Sequence, residues 1–322
     1  MNMLKALEEV ELADGDAALL TLGRYLAETG YGFITPTPLT HQRNLDRRAG
    51  PAEDLRDIFG WNRPFTAERL PDTLFATLGA GQLITETAPG HWRSQVRCSS
   101  LGQLRLLHSG YPTEAADAVF FGPDTYRFAR CIRAHLAARE APPARAVDIG
   151  CGSGAGALVI AKACPEARVW GTDINPSALR LTRINAQLAG AANLTPIASD
   201  VLRDLEGEFD LIVANPPYMK DPKGRAYRDG GAGMGSQLSL RILGEAMQRL
   251  APGGTLLLYT GVAIQAGEDP FLTEAGRALQ AFQGQWRYEE LDPDVFGEDL
   301  ELEGYAQAER IAVVLLEVRR QP

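Results

Sequence analysis

Asn215, Pro216, Pro217 and Tyr218 follow directly on an apolar run rich in branched residues, Phe209–Ala214. Such a run reads as a buried parallel strand that stops abruptly. Two successive prolines have no backbone N–H and a fixed φ, so the turn is stiff, and the carbonyls of Asn215 and Pro216 are not taken up by a continuing ladder. The Asn215 side-chain oxygen and the Pro216 carbonyl on one side, with the flat face of Tyr218 on the other, make a seat for a planar group that carries an NH2. The chemistry that needs such a seat is substitution on that nitrogen.

A second group of residues suits a polar ligand. Asp148, Gly150, Cys151, Gly152, Ser153 and Gly154 form a strand-to-helix turn in which glycines allow tight bending and close approach, and the helix that follows presents free N–H groups. Twenty-odd residues on, Asp173, with Ile174 beside it, closes the next strand, where a carboxylate can accept both hydroxyls of a ribose. Asp200 and Val201 end a third strand and would face an adenine ring, the acid taking the exocyclic amine and the apolar neighbour touching the ring. Gly150, Gly152 and Ala155 also fit the G-x-G-x-x-G/A fingerprint, so this turn by itself leaves a nicotinamide cofactor and a methyl donor both open. Asn215 stands where the two halves of the site would meet.

The elements that position these residues alternate. Strands are expected over 146–149, 167–172, 194–198, 209–214 and 255–259, with helices over 155–163, 176–188 and 237–250 between them, followed by a helix over 274–282 and two strands, 286–291 and 311–318. Alternation means a parallel sheet covered on both faces, and two strands in succession mean an antiparallel pair at one edge. The expected fold class is therefore α/β: a Rossmann-like, doubly wound, mostly parallel seven-stranded sheet with an antiparallel C-terminal edge strand, plus a smaller N-terminal α+β domain. The glycine turn, Asp173, Asp200 and Asn215 then all fall at carboxyl ends of successive strands, the edge where open α/β sheets bind ligands.

The expected boundary puts an N-terminal substrate-recognition domain at 1–118 and the larger domain at 119–322. In the first, helices are expected from Asp14 or Asp16 to Glu28 and over 72–79, with a small β unit from 82 to 121; 31–60 reads as loop with one short helix. His41, Arg43, Arg47 and Arg48 form a small basic cluster that could meet phosphate or carboxylate but is more often a solvated turn, and Trp92, Arg93, Arg97 and Arg105 alternate either along a substrate cleft or on the outer face of a hairpin. A helix from about 124 to 139, capped by Asp124 or Thr125, leads into the second domain.

Composition narrows the class. The chain has 322 residues, 45% of them apolar, and a formal net charge of −9, a balance that disfavours a protein whose affinity comes mainly from neutralising phosphates. Glu8, Glu9, Glu11, Asp14 and Asp16 open the chain without an apolar run, and no later stretch is long and apolar enough to span a bilayer, so a soluble cytoplasmic protein without a membrane partner is expected. Cys98, Cys131, Cys151 and Cys164 are scattered without a C-x-x-C pair; they read as buried thiols, with neither a disulfide frame nor a metal site.

On the turn 148–154, Asp173, Ser199 with Asp200, and above all Asn215, Pro216, Pro217 and Tyr218, the chain resembles class I S-adenosylmethionine-dependent methyltransferases, and among them the HemK/PrmC type that methylates the side-chain amide of a glutamine. Pro123, Asp124 and Thr125, and Pro252, Gly253 and Gly254 with Leu256 to Leu258, look like two further motifs of that family, and the likeness runs over about 119–262. Tyr126 and Tyr259 stand where the family usually has glutamates. The resemblance implies S-adenosylmethionine as cofactor, held by Asp148, Gly150, Cys151, Gly152, Ser153, Gly154, Asp173, Ile174, Asp200, Val201 and Asn215, and a target nitrogen held by Asn215, Pro216, Pro217 and Tyr218. Asn-Pro-Pro-aromatic turns also serve enzymes acting on nucleobase amines, so the acceptor is a protein glutamine, a nucleic acid or a small metabolite. An NAD(P)-dependent oxidoreductase would leave that turn without a purpose, and a non-catalytic binding protein is the other rival reading.

Overall fold

Residues 14–48, 50–221, 224–225 and 227–322 are described by the computed structural model. The acidic stretch through Glu8, Glu9 and Glu11, on which the expectation of a soluble cytoplasmic protein partly rests, lies outside them. Among the described residues no helix is long and apolar enough to cross a membrane. The chain packs as two units, residues 14–34 with 38–111 and residues 35–37 with 112–322.

In the first unit the helices α1 (Asp14–Glu28), α2 (Pro38–Arg47), α3 (Leu55–Phe59) and α4 (Asp72–Ala80) precede four strands. These are β1 (Ile84–Ala88), β2 (His91–Ser94), β3 (Val96–Leu101) and β4 (Leu104–Ser109), paired as two antiparallel hairpins. The stretch 31–60 thus holds two helices where one was expected. The basic residues also differ from the sequence reading: His41 is buried, with its Nε2 2.9 Å from the Trp61 carbonyl. Arg97 is only 2% exposed and donates through Nε to the Ser109 carbonyl, so it lies inside the unit and not on an outer hairpin face. Alternation alone could not reveal this, because the helices that cover the hairpin are remote in sequence.

The second unit begins with α5 (Pro123–Ala138) and continues β5 (Arg145–Ile149), α6 (Ala155–Ala163), β6 (Arg168–Asp173), α7 (Pro176–Ala189), β7 (Leu194–Ala198) and β8 (Phe209–Ala214). It ends with α8 (Gln237–Met247), β9 (Leu250–Ile264), α9 (Pro270–Gln280), β10 (Gly284–Asp292) and β11 (Arg310–Arg320). The cap of α5 is Gly122; Thr125 sits one turn in and accepts the Gly122 N–H, so neither Asp124 nor Thr125 is the cap residue itself. The seven strands lie in the order β10-β11-β9-β8-β5-β6-β7, with β9, β8, β5, β6 and β7 parallel and β11 antiparallel between β9 and β10. The antiparallel C-terminal strand is therefore one place in from the edge, which β10 forms. Helices cover both faces: Ile242 and Leu243 of α8 and Phe271 and Leu279 of α9 join Leu256 and Leu258 of β9 in one core, while Phe128 of α5 meets Tyr259 on the opposite face of β9. Cys98, Cys151 and Cys164 are buried and Cys131 is half-buried.

The topology decides where a ligand can sit. Chain order reverses between β5 and β8, since β5 leads outward to β6 and β7 while β8 leads to β9 on the other side. Connections leaving the carboxyl ends of two such neighbours diverge and open a crevice. Ile149 pairs with Ala214, Ile149 also with Thr172, and Asp173 with Ala198. Gly150 and Asn215 are thus the first residues beyond paired ends of adjacent strands, and Asp173 and Ser199 leave the sheet alongside.

Candidate active site at the carboxyl ends of the parallel strands

The glycine turn is held from below. Gly150, Gly152 and Gly154 adopt positive φ (69°, 55° and 82°), and a Cβ at Gly154 would come within 3.0 Å of the Thr182 side chain on α7. Only glycine meets both conditions without strain. Thr182 donates to the Gly152 carbonyl at 3.0 Å and Asn185 to the Ser153 carbonyl at 2.9 Å, so α7 fixes the turn from one side. The side chains of Cys151 and Ser153 are buried, and it is backbone that the turn offers to a ligand, with Gly150 exposed.

The acids occupy three different environments. Asp173 accepts the Gly152 N–H at 3.0 Å on one oxygen and the Asn175 N–H at 2.9 Å on the other, which ties β6 to the glycine turn. Burial raises its pKa above the usual carboxylate range, against the opposing pull of those two N–H groups. Ile174 beside it is 67% exposed, an apolar side chain standing free at the mouth of the crevice. Asp200 is more open and is paired with Arg241 of α8 and, at 3.7 Å, with Arg203. Val201 has φ of 60°, an uncommon conformation for a β-branched residue, and its side chain packs into the core with Ile149 and Leu202, so its backbone is what faces the strand end.

Asp148 is buried under the turn, where Oδ2 accepts the Ala157 N–H at 2.8 Å. Burial pushes its carboxyl up to about 7, opposed by that hydrogen bond and assisted by the charge of Asp173. Between about pH 4, near the carboxyl's ordinary pKa, and pH 7 the folded chain holds a proton that the unfolded chain has released. Its contribution to stability is complete below that window, falls by about 1.4 kcal/mol per pH unit across it, and is gone above it. Asp148→Asn keeps an acceptor for Ala157 and removes the slope. The melting temperature of the variant relative to the parent should therefore rise from pH 5 to pH 7 and then level, and a constant difference would show that Asp148 titrates elsewhere.

Across the crevice, Asn215 is half-buried, and neither its side-chain amide nor the Pro216 carbonyl is engaged by any described residue. The carbonyls farther along are used: Met219 accepts from Gly230 at 2.8 Å, and the Met219 N–H donates to Arg228 at 3.0 Å. Tyr218 is 7% exposed, and its hydroxyl donates to Asp124 of α5 at 2.5 Å. A Cβ at Gly261 on β9 would lie 2.3 Å from the Tyr218 ring, so the absence of a side chain there makes room for that ring. Beyond Tyr218 opens a pocket of about 710 Å³ lined by Lys220, Asp221, Asp229, Leu302 and Glu303. Its far wall is the connection between β10 and β11, held by a bond from the Lys220 N–H to the Tyr305 hydroxyl at 2.7 Å.

Of the residues expected from sequence, the structure brings Gly150, Gly152, Asp173 and Asn215 to one edge. Sequence reasoning treated Asp124 as a helix cap and Tyr259 as a departure from a motif, and assigned nothing to Thr182, Asn175 or Gly261. Asp124 and Tyr259 lie 94 and 135 residues from their partners in chain order. Polarity inside an apolar run, as at Tyr259 after Leu256 to Leu258, was the available signal.

A parallel sheet whose switch point sets a glycine turn beside an Asn-Pro-Pro-Tyr turn defines a Rossmann-like domain of the class I methyltransferase kind. The methyltransferase small domain family matches residues 129–275. A release factor glutamine methyltransferase of Bradyrhizobium diazoefficiens is 32% identical over 217 residues, covering 61% of this chain and 73% of that protein. That of Deinococcus radiodurans is 38% identical over 137 residues, covering 38% and 49%. A 4-amino-L-phenylalanine/4-methylamino-L-phenylalanine methyltransferase of Streptomyces pristinaespiralis is 33% identical over 169 residues, covering 47% and 57%. Among solved structures, Trm5b of Pyrococcus abyssi aligns with a TM-score of 0.49 at 17% identity, over 74% of this chain and 62% of that one. The chain belongs to the release factor glutamine methyltransferase family, and it spans about half the length of several other curated relatives it matches. S-adenosylmethionine is the methyl donor of this family. The residues present fit that donor: a backbone-lined glycine turn, a carboxylate fixed at the end of β6, and an exposed Ile174 beside it.

Proposed function

We propose that this chain transfers a methyl group from S-adenosylmethionine to the side-chain amide nitrogen of a glutamine in a protein, with a release factor as first choice of substrate because that is what the relatives' names specify. The observation that carries the reading is the pair of unengaged acceptors, Asn215 Oδ1 and the Pro216 carbonyl, one strand away from the glycine turn. In the donor half, the turn 150–154 and Asp173 hold the amino acid and ribose parts, Ile174 covers the adenine, and Asp200 with the Val201 backbone borders its amine. When bound there, S-adenosylmethionine supplies an electrophilic methyl on a sulfonium.

An amide nitrogen is a poor nucleophile because its lone pair is delocalised into the carbonyl. With both hydrogens accepted by Asn215 and Pro216, the group is held in one orientation with its lone pair toward the donor half, and the Tyr218 ring limits its approach. Positioning of this kind supplies up to about 7–11 kcal/mol. A strong base is not needed: the nitrogen becomes cationic on transfer and its proton then leaves readily.

The pocket beyond Tyr218 supports a protein acceptor over a nucleic acid. Its lining brings Asp229 and Glu303 against the single ammonium of Lys220, with Asp221 already paired to Arg225 at 2.7 Å, a poor match for phosphates. The unit of residues 14–34 and 38–111 lies outside the matched domain, 129–275, and is the part we assign to substrate recognition. The test is incubation with labelled donor and purified release factors, with total RNA and 4-amino-phenylalanine as parallel arms, and peptide mass spectrometry of the product. One methyl on a glutamine amide is expected. Label confined to RNA or to the amino acid would replace this reading.

A further inference from the structure

We propose that Asp124 is a positioning residue for the acceptor turn, acting on Tyr218 through a carboxylate shared between two phenols; this rests on the reading of 215–218 as the acceptor seat. The Tyr218 hydroxyl donates to Asp124 Oδ2 at 2.5 Å and the Tyr259 hydroxyl to Oδ1 at 2.7 Å. Arg127, one helical turn on, donates through Nη1 to Oδ1 at 3.1 Å and through Nη2 to Asp292 at the end of β10 at 2.7 Å. Asp124 is 6% exposed and Tyr259 fully buried.

The chemistry of the cluster fixes who donates. Burial and the nearby carboxylate push both phenols far above their ordinary pKa, so each keeps its proton and donates it in a hydrogen bond to Asp124. A buried carboxylate without donors is costly, and hydrogen bonds to a charged acceptor are the strong ones. Asp124 lies in the first turn of α5, where an acid is often only a helix-end charge. Here its oxygens accept from two side chains on β9 and the acceptor turn and from no described backbone N–H.

Three segments far apart in the chain thus converge on one carboxylate. The hydroxyl of Tyr218 is spent on it, so the residue brings the acceptor a ring of fixed position and neither an acid nor a base. Asp124 holds the tip of that ring, Gly261 leaves room for its face, and Phe296 stands 6.2 Å from its centroid. Tyr259 stands where the family usually has glutamate, and a second carboxylate at that place would face Asp124 instead of donating to it.

The experiment is steady-state methylation by Asp124→Asn, Tyr218→Phe, Tyr259→Phe and the Asp124→Asn/Tyr218→Phe double variant, with donor affinity measured by calorimetry. Residues that act as a unit lose activity non-additively. Asp124→Asn and Tyr218→Phe should each lower kcat by roughly ten- to a hundredfold with donor Kd within twofold, and the double variant should lose no more than the worse single. Tyr259→Phe should lose about three- to tenfold. Losses that multiply in the double variant, turnover of Asp124→Asn within twofold of the parent, or a loss confined to donor affinity would overturn the proposal. If Asp124→Asn does not fold, Tyr259→Phe decides, and unchanged kcat there overturns it. Retained turnover in Asn215→Ala would instead remove the acceptor seat itself, so the two failures are distinguishable.

Discussion

Asn215→Ala is expected to abolish methyl transfer, a loss of at least about a thousandfold in kcat, while donor affinity stays within a few fold. The magnitude follows from what the side chain does. Removing one preorganised hydrogen-bonding group aimed at a reacting centre costs roughly 10²–10³ in rate. Asn215 adds to that the orientation of the whole amide, because with Pro216 as the sole acceptor the group can rotate about one hydrogen bond. Donor affinity is spared because the donor half is held by contacts that do not pass through Asn215: Gly152 to Asp173, Asn185 to Ser153 and Thr182 to Gly152. Turnover with labelled donor, together with calorimetry using S-adenosylhomocysteine, separates the two. Near-normal turnover would sink the assignment, and a parallel collapse of donor affinity would move Asn215 into the donor half.

Much of the geometry of this candidate site is legible in the sequence, and the reason is local. Glycines at 150, 152 and 154 announce a backbone that side chains would forbid, and two prolines after a branched apolar run announce a strand with nowhere to go; each signal is contained within ten residues. The alternation from 145 to 264 is equally local, and it places every strand end on the same edge of the sheet. What was not legible depends on register and on distant partners. The run after Pro252 reads as a five-residue strand, yet β9 extends to Ile264 because β11 pairs along it from Arg310 to Arg319. That extension brings Gly261 under Tyr218. Asp124 is indistinguishable in sequence from a helix-end acid until β9 and the acceptor turn arrive beside it. His41 reads as part of a solvated turn, and Arg97 as lining a cleft or an outer hairpin face, because their cover comes from elements far along the chain.

Asp173→Ala should weaken the donor before it touches the chemistry. The carboxylate has two tasks that one substitution removes together. It accepts the N–H groups of Gly152 and Asn175, and so holds the glycine turn against β6, and each oxygen keeps a lone pair to which a ribose hydroxyl would donate. Burial raises its pKa, which means the charged form is under-solvated there and gains from each further donor. Hydrogen bonds to a charged group contribute about 1.5–3 kcal/mol each. Two of them, discounted for the water that enters when they are lost, correspond to a donor affinity lower by at least about thirtyfold. Asp173→Asn should fall between, since an amide oxygen still accepts one hydroxyl and one N–H but carries no charge. At saturating donor the kcat of Asp173→Asn should recover toward the parent value, because Asn215 and Pro216 leave a different strand and keep their geometry. Calorimetric titration of S-adenosylhomocysteine into the parent and both variants decides it: an unchanged Kd takes Asp173 out of the donor site, and a loss of kcat that saturating donor does not restore makes the glycine turn, and not the ribose, the thing Asp173 holds.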